Sequence, residues 1–184
     1  PLYSSAASDV YKRQAPASTE ILKKYQLDDG KYKIMYIGRV DPEKSIDVVV
    51  KAFALLLADG ISNTELVIVG DGIDVARLKE LTEELGISEE VKFLGKIMMP
   101  ELAKVYRMGT IFATGSETET QGIVLIEAAA TGLPLVAVNA GAVGEICVNG
   151  VNGELVEAGN VEAFKEAMKN HWNHFPVVSS IVLF

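Results

Sequence analysis

The chain of 184 residues is long enough for one domain of ordinary size, and with 49% hydrophobic residues it can form a substantial core. Its formal net charge of -8 disfavours nucleic acid as a partner, because the chain as a whole repels phosphate backbones. A single cysteine and two histidines exclude an intrachain disulfide and a thiolate metal cluster, and give little support to a histidine-based catalytic site. Since no run reaches the ~20 apolar residues of a membrane-spanning helix, we expect a soluble protein of a reducing, cytoplasmic compartment.

The two ends of the chain differ from its middle. Residues 1–16 have neither the apolar centre of a signal peptide nor amphipathic order, and we interpret them as a non-native or disordered leader. Residues 175–184 are interpreted as a non-native tail. The predicted domain therefore spans residues 30–170, and His171 and His174 beyond it are predicted to be surface residues without a function.

Apolar runs alternate with helical spacings along the predicted domain. The predicted strands span residues 34–37, 66–69, 91–94, 110–113, 135–138 and 154–156. The predicted helices span residues 46–58, 75–85, 100–108, 122–131 and 161–169, with a short helix within 141–148, and Ser45 is the predicted cap of the first. Because the strands are apolar throughout rather than at every second residue, they indicate an α/β fold, a Rossmann-like doubly wound parallel sheet of about six strands.

Ligands of such sheets bind beyond the carboxyl ends of the strands, so the loops after the first, second, fourth and fifth strands form the candidate site. The first loop carries Arg39 and Lys44, a guanidinium and an ammonium that suit the two phosphates of a diphosphate. In the alternative interpretation, Arg39 pairs with Asp41 or Glu43 and Lys44 only covers the start of a helix.

The helix predicted after the fourth strand begins near Gly122. The free N–H groups of Gly122, Ile123 and Val124 and the helix dipole favour an anionic group at this end. Gly122 lacks a side chain, which would let a ligand approach the backbone.

Two glutamates flank this helix start. Glu119 and Glu127 are predicted to accept hydrogen bonds from sugar hydroxyls, Glu119 from the donor sugar and Glu127 from the ribose. The alternatives are structural: Ser116 with Glu119, or Thr118 with Gln121, has the spacing of a capping box. Glu127 lies in an apolar run, so it needs a partner if it is buried.

The glycine-rich turn Gly70-Asp71-Gly72 begins like a dinucleotide-binding fingerprint, but Val75 occupies the place of the third glycine. We therefore interpret it as a tight turn between a strand and a helix and do not expect NAD binding. The turn at residues 141–145 has two interpretations: the default one is a helix start, and the functional one is a wall of the same cleft.

Gly38 and Arg39 with Lys44, the Gly70-Asp71-Gly72 turn, residues 93–95 and residues 119–134 occur in an order that resembles the family 4 glycosyltransferases. The resemblance covers about residues 30–170. It implies one half of a GT-B architecture, in which this carboxyl-terminal domain binds a nucleotide sugar and an amino-terminal domain, missing from this sequence, binds the acceptor.

The resemblance also implies residue roles. It assigns Arg39 and Lys44 to the diphosphate, the pair Glu119 and Glu127 to catalysis on the sugar and ribose, and the region of residues 93–97 to the base. The full set of expected substrate-binding residues is Gly38, Arg39, Lys44, Gly70, Gly72, Lys96, Ile97, Gln121, Gly122, Ile123 and Val124. Family members transfer the sugar with retention and without a bound metal, so we expect a nucleotide sugar as co-substrate and no cofactor.

The segment from Glu119 to Gly122 is similar to the version in diacylglycerol glucosyltransferases, which implies UDP-glucose as donor and a lipid acceptor reached at a membrane surface through the missing domain. Ser45 stands where the family more often has glycine. Two other functions remain open: a non-catalytic nucleotide-binding module and a nucleotide-sugar epimerase half-domain. An epimerase needs further acid and base residues, histidines among them, which the predicted loops lack.

Overall fold

The computed structural model of the chain describes residues 19–118 and 122–174, which alternate between strands and helices. The strands are β1 (Tyr32–Ile37), β2 (Thr64–Val69), β3 (Val91–Gly95), β4 (Ile111–Thr114), β5 (Leu135–Val138) and β6 (Gly153–Val156). The helices are α1 (Thr19–Tyr25), α2 (Ile46–Ala58), α3 (Val75–Glu84), α4 (Glu101–Tyr106), α5 (Ile123–Ala130), α6 (Val143–Ile146) and α7 (Val161–His174), and a 3-10 turn (Pro42–Lys44) precedes α2.

All of these strands pair in parallel within one sheet, in the order β3-β2-β1-β4-β5-β6. The chain builds the sheet outward from β1 in one direction as far as β3 and then returns to the other side of β1 with β4. The connections at this reversal diverge, so a crevice forms beyond the carboxyl ends of the strands. The Rossmann-like parallel sheet predicted from the sequence is confirmed.

Two apolar cores cover the two faces of the sheet, and successive residues of β1 point into them in turn. Ile34 and Tyr36 pack in the core under α2, α3 and α7, whereas Met35 and Ile37 pack in the core under α1, α4, α5 and α6. Burial on both faces explains why the strand is apolar at every position of this stretch.

Helix α1 precedes the predicted start of the domain at residue 30. Its Ile21 and Leu22 are buried in the core that contains Met35. Two buried positions in a seven-residue helix give too little periodicity to be recognised in a sequence. At the other end, α7 continues to His174. The predicted leader (residues 1–16) and tail (residues 175–184) lie outside the described residues.

Two local predictions need correction. Ser45 does precede α2, but its side chain makes no capping hydrogen bond, because the residue lies in the left-handed region (φ 47°) where the 3-10 turn ends. His171, predicted at the surface, has a side chain only 20% exposed, with Nε2 3.8 Å from Oε1 of Glu154. None of the helices in the part of the chain that the structure describes is both long and apolar enough to span a membrane.

Candidate functional site

A cleft of about 490 Å³ opens at the carboxyl ends of β1, β2 and β3, bordered by α4 and α5. This is the edge of the sheet at which the sequence placed the candidate site. The cleft brings together eight of the predicted site residues, namely Gly38, Arg39, Gly70, Gly72, Lys96, Ile97, Val124 and Glu127.

Three other predicted site residues lie nearby without lining the cleft. Lys44 is half-buried beside the loop that follows β4, where its Nζ donates to Oγ of Ser116 at 3.4 Å. Gly122 is buried immediately before α5, and Ile123, the first residue of α5, is 54% exposed. Glu119 and Gln121 lie outside the described residues, so their roles remain predictions.

The loops after β1 and β2 continue the parallel pairing of their strands into the cleft. The N–H of Gly38 donates to the carbonyl of Val69, and the N–H of Val40 donates to the carbonyl of Asp71, both at 3.0 Å. The carbonyl of Val40 in turn accepts from the N–H of Asp74 at 3.0 Å. The two loops therefore form one continuous wall with paired backbone groups.

This pairing explains the glycines of the Gly70-Asp71-Gly72 turn. A Cβ atom on Gly70 would lie 1.8 Å from the carbonyl oxygen of Gly38, and one on Gly72 would lie 2.1 Å from that of Val40. The tight turn inferred from the sequence is present. Its glycines are required by the close approach of the neighbouring loop, which only the tertiary structure reveals.

Gly122 also has a structural reason that the sequence did not indicate. Its φ of 61° lies in the left-handed region, and an added Cβ would lie 2.3 Å from Cδ1 of Ile146 on α6. We expected the missing side chain to leave room for a ligand. In the structure, the chain's own α6 fills that space, so glycine permits this packing and the turn into α5.

Arg39 is paired in the manner of the structural alternative. Its guanidinium donates from Nη1 to Asp41 and from Nη2 to Oε1 of Glu43 at 2.8 Å, while its side chain stays 67% exposed. Exposed ion pairs of this kind contribute only ~0–1 kcal/mol. They therefore hold the guanidinium only weakly in this position.

Glu127 lies on α5 with a specific partner. The hydroxyl of Tyr106, at the end of α4, donates to Oε2 of Glu127 at 2.8 Å. Burial, and then the adjacent Glu127 carboxylate, raise the pKa of Tyr106 well above its usual range, so the hydroxyl remains a donor at physiological pH. The expectation that Glu127 needs a partner is confirmed.

Tyr106, which lies beside the cleft without lining it, is a partner of this site that the sequence analysis missed. A signal was available, because a buried tyrosine usually needs an acceptor for its hydroxyl. The sequence did not identify which acceptor it would meet.

A second cavity, of about 570 Å³, lies at the opposite edge of the sheet, near the start of β5 and β6. Its lining includes Leu133, Glu154 and His171 and contains no predicted site residue. Within residues 19–118 and 122–174, no group of three His, Cys, Asp or Glu side chains is placed to hold a metal ion.

The family model described as glycosyl transferases group 1 matches residues 17–173. The chain belongs to this family. This glycosyltransferase group 1 chain is 36% identical over 150 residues to D-inositol 3-phosphate glycosyltransferase of Rhodococcus opacus, a match that covers 78% of the chain and 34% of that protein. It is 35% identical over 118 residues to alpha-monoglucosyldiacylglycerol synthase of Streptococcus pneumoniae, covering 64% of the chain and 26% of that protein.

Among solved structures, the chain matches Anabaena Alr3699/HepE in complex with UDP-glucose. The TM-score is 0.73 at 25% identity, over 83% of the chain and 43% of that protein. The family resemblance and the expected fold, one half of a GT-B architecture, are confirmed. The chain matches only about a third or less of the length of the two curated relatives.

Proposed function

We propose that this glycosyltransferase group 1 chain is the donor-binding domain of a retaining hexosyltransferase that uses a nucleotide sugar, with UDP-glucose as the favoured donor. One observation carries the proposal. A single cleft at the reversal point of the sheet combines the cations Arg39 and Lys96, the glycine backbone of the loops after β1 and β2, and the carboxylate of Glu127.

The cationic side of the cleft is proposed to hold the diphosphate. Arg39 already points its planar fork at two carboxylates, Asp41 and Glu43, and a diphosphate offers it the same bidentate geometry with more charge. Lys44, which does not line the cleft but lies at the end of the same loop with its Nζ 3.4 Å from Oγ of Ser116, is assigned to the same diphosphate. Because the chain carries a net charge of -8, the attraction for an anion must come from such local cations.

The opposite side is proposed to hold the nucleoside and the sugar. Glu127 is assigned to the ribose hydroxyls, and Glu119 to the donor sugar. The base is assigned to the region of residues 93–97, where Ile97 joins Val69 and Leu102 in an apolar part of the cleft lining. An apolar surface with a few placed polar groups is typical of nucleotide sites.

In the proposed reaction, the bond between the anomeric carbon and the diphosphate oxygen breaks and a bond to the acceptor oxygen forms on the same face of the sugar. The leaving diphosphate takes the acceptor's proton. The contribution of the chain is to stabilise the charge that develops on the diphosphate, which is the task of preorganised cations and N–H groups.

The acceptor is proposed to bind a second domain that covers the cleft. Large apolar side chains are exposed next to residues that line the cleft: Ile73 is 85% exposed, Met98 64% and Ile123 54%. Exposed apolar groups around a polar cleft are typical of a surface that another domain contacts. A lipid acceptor is favoured by the similarity to the Streptococcus pneumoniae synthase and by the sequence from Glu119 to Gly122.

Calorimetric titration of the 184-residue chain with UDP tests the donor site. We expect weak binding by the unaltered chain, and binding at least about tenfold weaker in the double variant Arg39→Ala/Lys44→Ala, because charge-assisted hydrogen bonds are worth ~1.5–3 kcal/mol each before solvent screening. A matched control is the double variant Lys104→Ala/Arg107→Ala, which removes the same charges from exposed positions that do not line the cleft.

Equal UDP affinity in the unaltered chain and the Arg39→Ala/Lys44→Ala variant would refute the phosphate assignment. Equal losses of UDP affinity in this variant and in the control would mean that the effect comes from the net charge of the chain alone. We further expect no appreciable transfer by this chain alone, because the proposed acceptor domain also excludes water from the cleft. Robust turnover by the isolated chain would contradict the two-domain arrangement.

A further inference from the structure

The hydrogen bond between Tyr106 and Glu127 joins α4 to α5 beside the cleft, and the proposed donor-binding function gives it a consequence. We propose that Tyr106 is a positioning residue that fixes the Glu127 carboxylate in the orientation that accepts the ribose hydroxyls of the bound nucleotide. The inference rests on the proposed function and extends it to a residue that does not line the cleft.

Burial places Tyr106 behind Glu127 rather than beside the ligand. The tyrosine is only 1% exposed, whereas Glu127 is half-buried and lines the cleft. Tyr106 lies in the same apolar core as Leu125 and Ala128 of α5, and its hydroxyl bonds the glutamate that this helix carries. A hydroxyl in this position acts on a nucleotide through Glu127.

The hydrogen bond from Tyr106 also makes the two carboxylate oxygens of Glu127 different from each other. Oε2 of Glu127 accepts from the Tyr106 hydroxyl at 2.8 Å, which leaves Oε1 as the oxygen with its full acceptor capacity. A free glutamate side chain samples several rotamers, and a ligand that binds it must restrict them. A buried donor that restricts them beforehand removes that cost, which corresponds to about three- to tenfold in affinity for one long side chain.

The test compares UDP with 2′,3′-dideoxy-UDP, which has the same base and diphosphate but no ribose hydroxyls. Calorimetry on the full chain is performed for the unaltered protein, Tyr106→Phe, Glu127→Ala and the double variant. We expect Tyr106→Phe to weaken UDP binding about three- to tenfold and to leave dideoxy-UDP binding unchanged. In the Glu127→Ala background, the same tyrosine substitution should cause no further loss.

Tyr25→Phe is the matched control, because Tyr25 lies beside another carboxylate, that of Glu101, away from the lining of the cleft. We expect it to leave both affinities unchanged. An equal loss of UDP and dideoxy-UDP binding in Tyr106→Phe would overturn the positioning role and leave a structural one. Unchanged UDP affinity in Tyr106→Phe would overturn it as well, while UDP binding by the unaltered chain would still support the proposed function.

Failure of the proposed function has a different result: the unaltered chain itself would show no measurable affinity for UDP. The positioning role would then be refuted with it. A further loss from Tyr106→Phe in the Glu127→Ala background would also count against the inference, since the tyrosine would then act by a route other than Glu127.

Discussion

Replacement of Gly72 by alanine tests whether the wall of the cleft depends on the close approach of two loops. The φ of Gly72 is outside the left-handed region, so alanine meets no backbone strain there. Its Cβ, however, would lie 2.1 Å from the carbonyl oxygen of Val40, where ordinary contact begins at 3.4 Å. The loops must therefore separate by roughly 1 Å, because neither the Cβ nor the backbone oxygen can move away by rotation of a side chain.

The magnitude follows from what that separation disrupts. The N–H of Val40 bonds the carbonyl of Asp71, and the N–H of Asp74 bonds the carbonyl of Val40, each at 3.0 Å. Weakening two hydrogen bonds at ~0.5–1.5 kcal/mol each, together with ~1–3 kcal/mol of overpacking strain, predicts a loss of about 2–4 kcal/mol in the free energy of unfolding.

Gly86→Ala is the contrasting control. Gly86 has a φ of 68°, and an added Cβ would meet no atom within 4 Å, so it isolates backbone strain from collision. We expect a cost of about 1–2 kcal/mol. Urea unfolding measures both variants, and UDP titration of the folded Gly72→Ala variant should show weakened binding. If Gly72→Ala were no more destabilising than Gly86→Ala, the argument from loop approach would fail.

Three further predictions concern stability and thiol chemistry. Lys33 Nζ lies 3.4 Å from Oε1 of Glu65, and the two side chains are 4% and 1% exposed. Lys33→Met should therefore lower the free energy of unfolding by about 3–5 kcal/mol, and Lys33→Met/Glu65→Leu should recover most of this loss. A Lys33→Met variant as stable as the original chain would contradict the prediction. Lys169, with a second lysine of α7, lowers the pKa of Asp59 below its ordinary 3.8, so its ionised form stabilises the fold above that pH. In urea titrations the unaltered chain should have a larger free energy of unfolding than Asp59→Asn, and this difference should shrink as the pH falls below 3.8. A difference that stays constant with pH would refute the pairing. Burial raises the pKa of the Cys147 thiol to about 11, so a disulfide reagent at about pH 8 should leave the native thiol unmodified and react once the chain is unfolded in urea.

The sequence by itself determined the type and order of the elements inside the predicted domain. Every predicted strand and long helix is present, because an apolar run or a helical spacing of ten or so residues is a local property that two-sided burial imposes. The rule that parallel sheets bind ligands at their carboxyl edge then placed Arg39 and Glu127 at one edge, and the family resemblance added Lys96. The structure gathers all three in one cleft. The ion pairs of Arg39 were also foreseeable, because Asp41 and Glu43 lie two and four residues away.

Only the tertiary structure decided which groups meet across distant parts of the chain. Tyr106 and Glu127 are 21 residues apart, on separate helices, and no local pattern pairs them. The reason for Gly72 lies in the loop after β1, and that for Gly122 lies in α6. Helix α1 likewise owes its place to two side chains that fit an existing core. Periodicity records which side of an element is buried, whereas the identity of the atoms on the other side of the contact depends on how the elements pack.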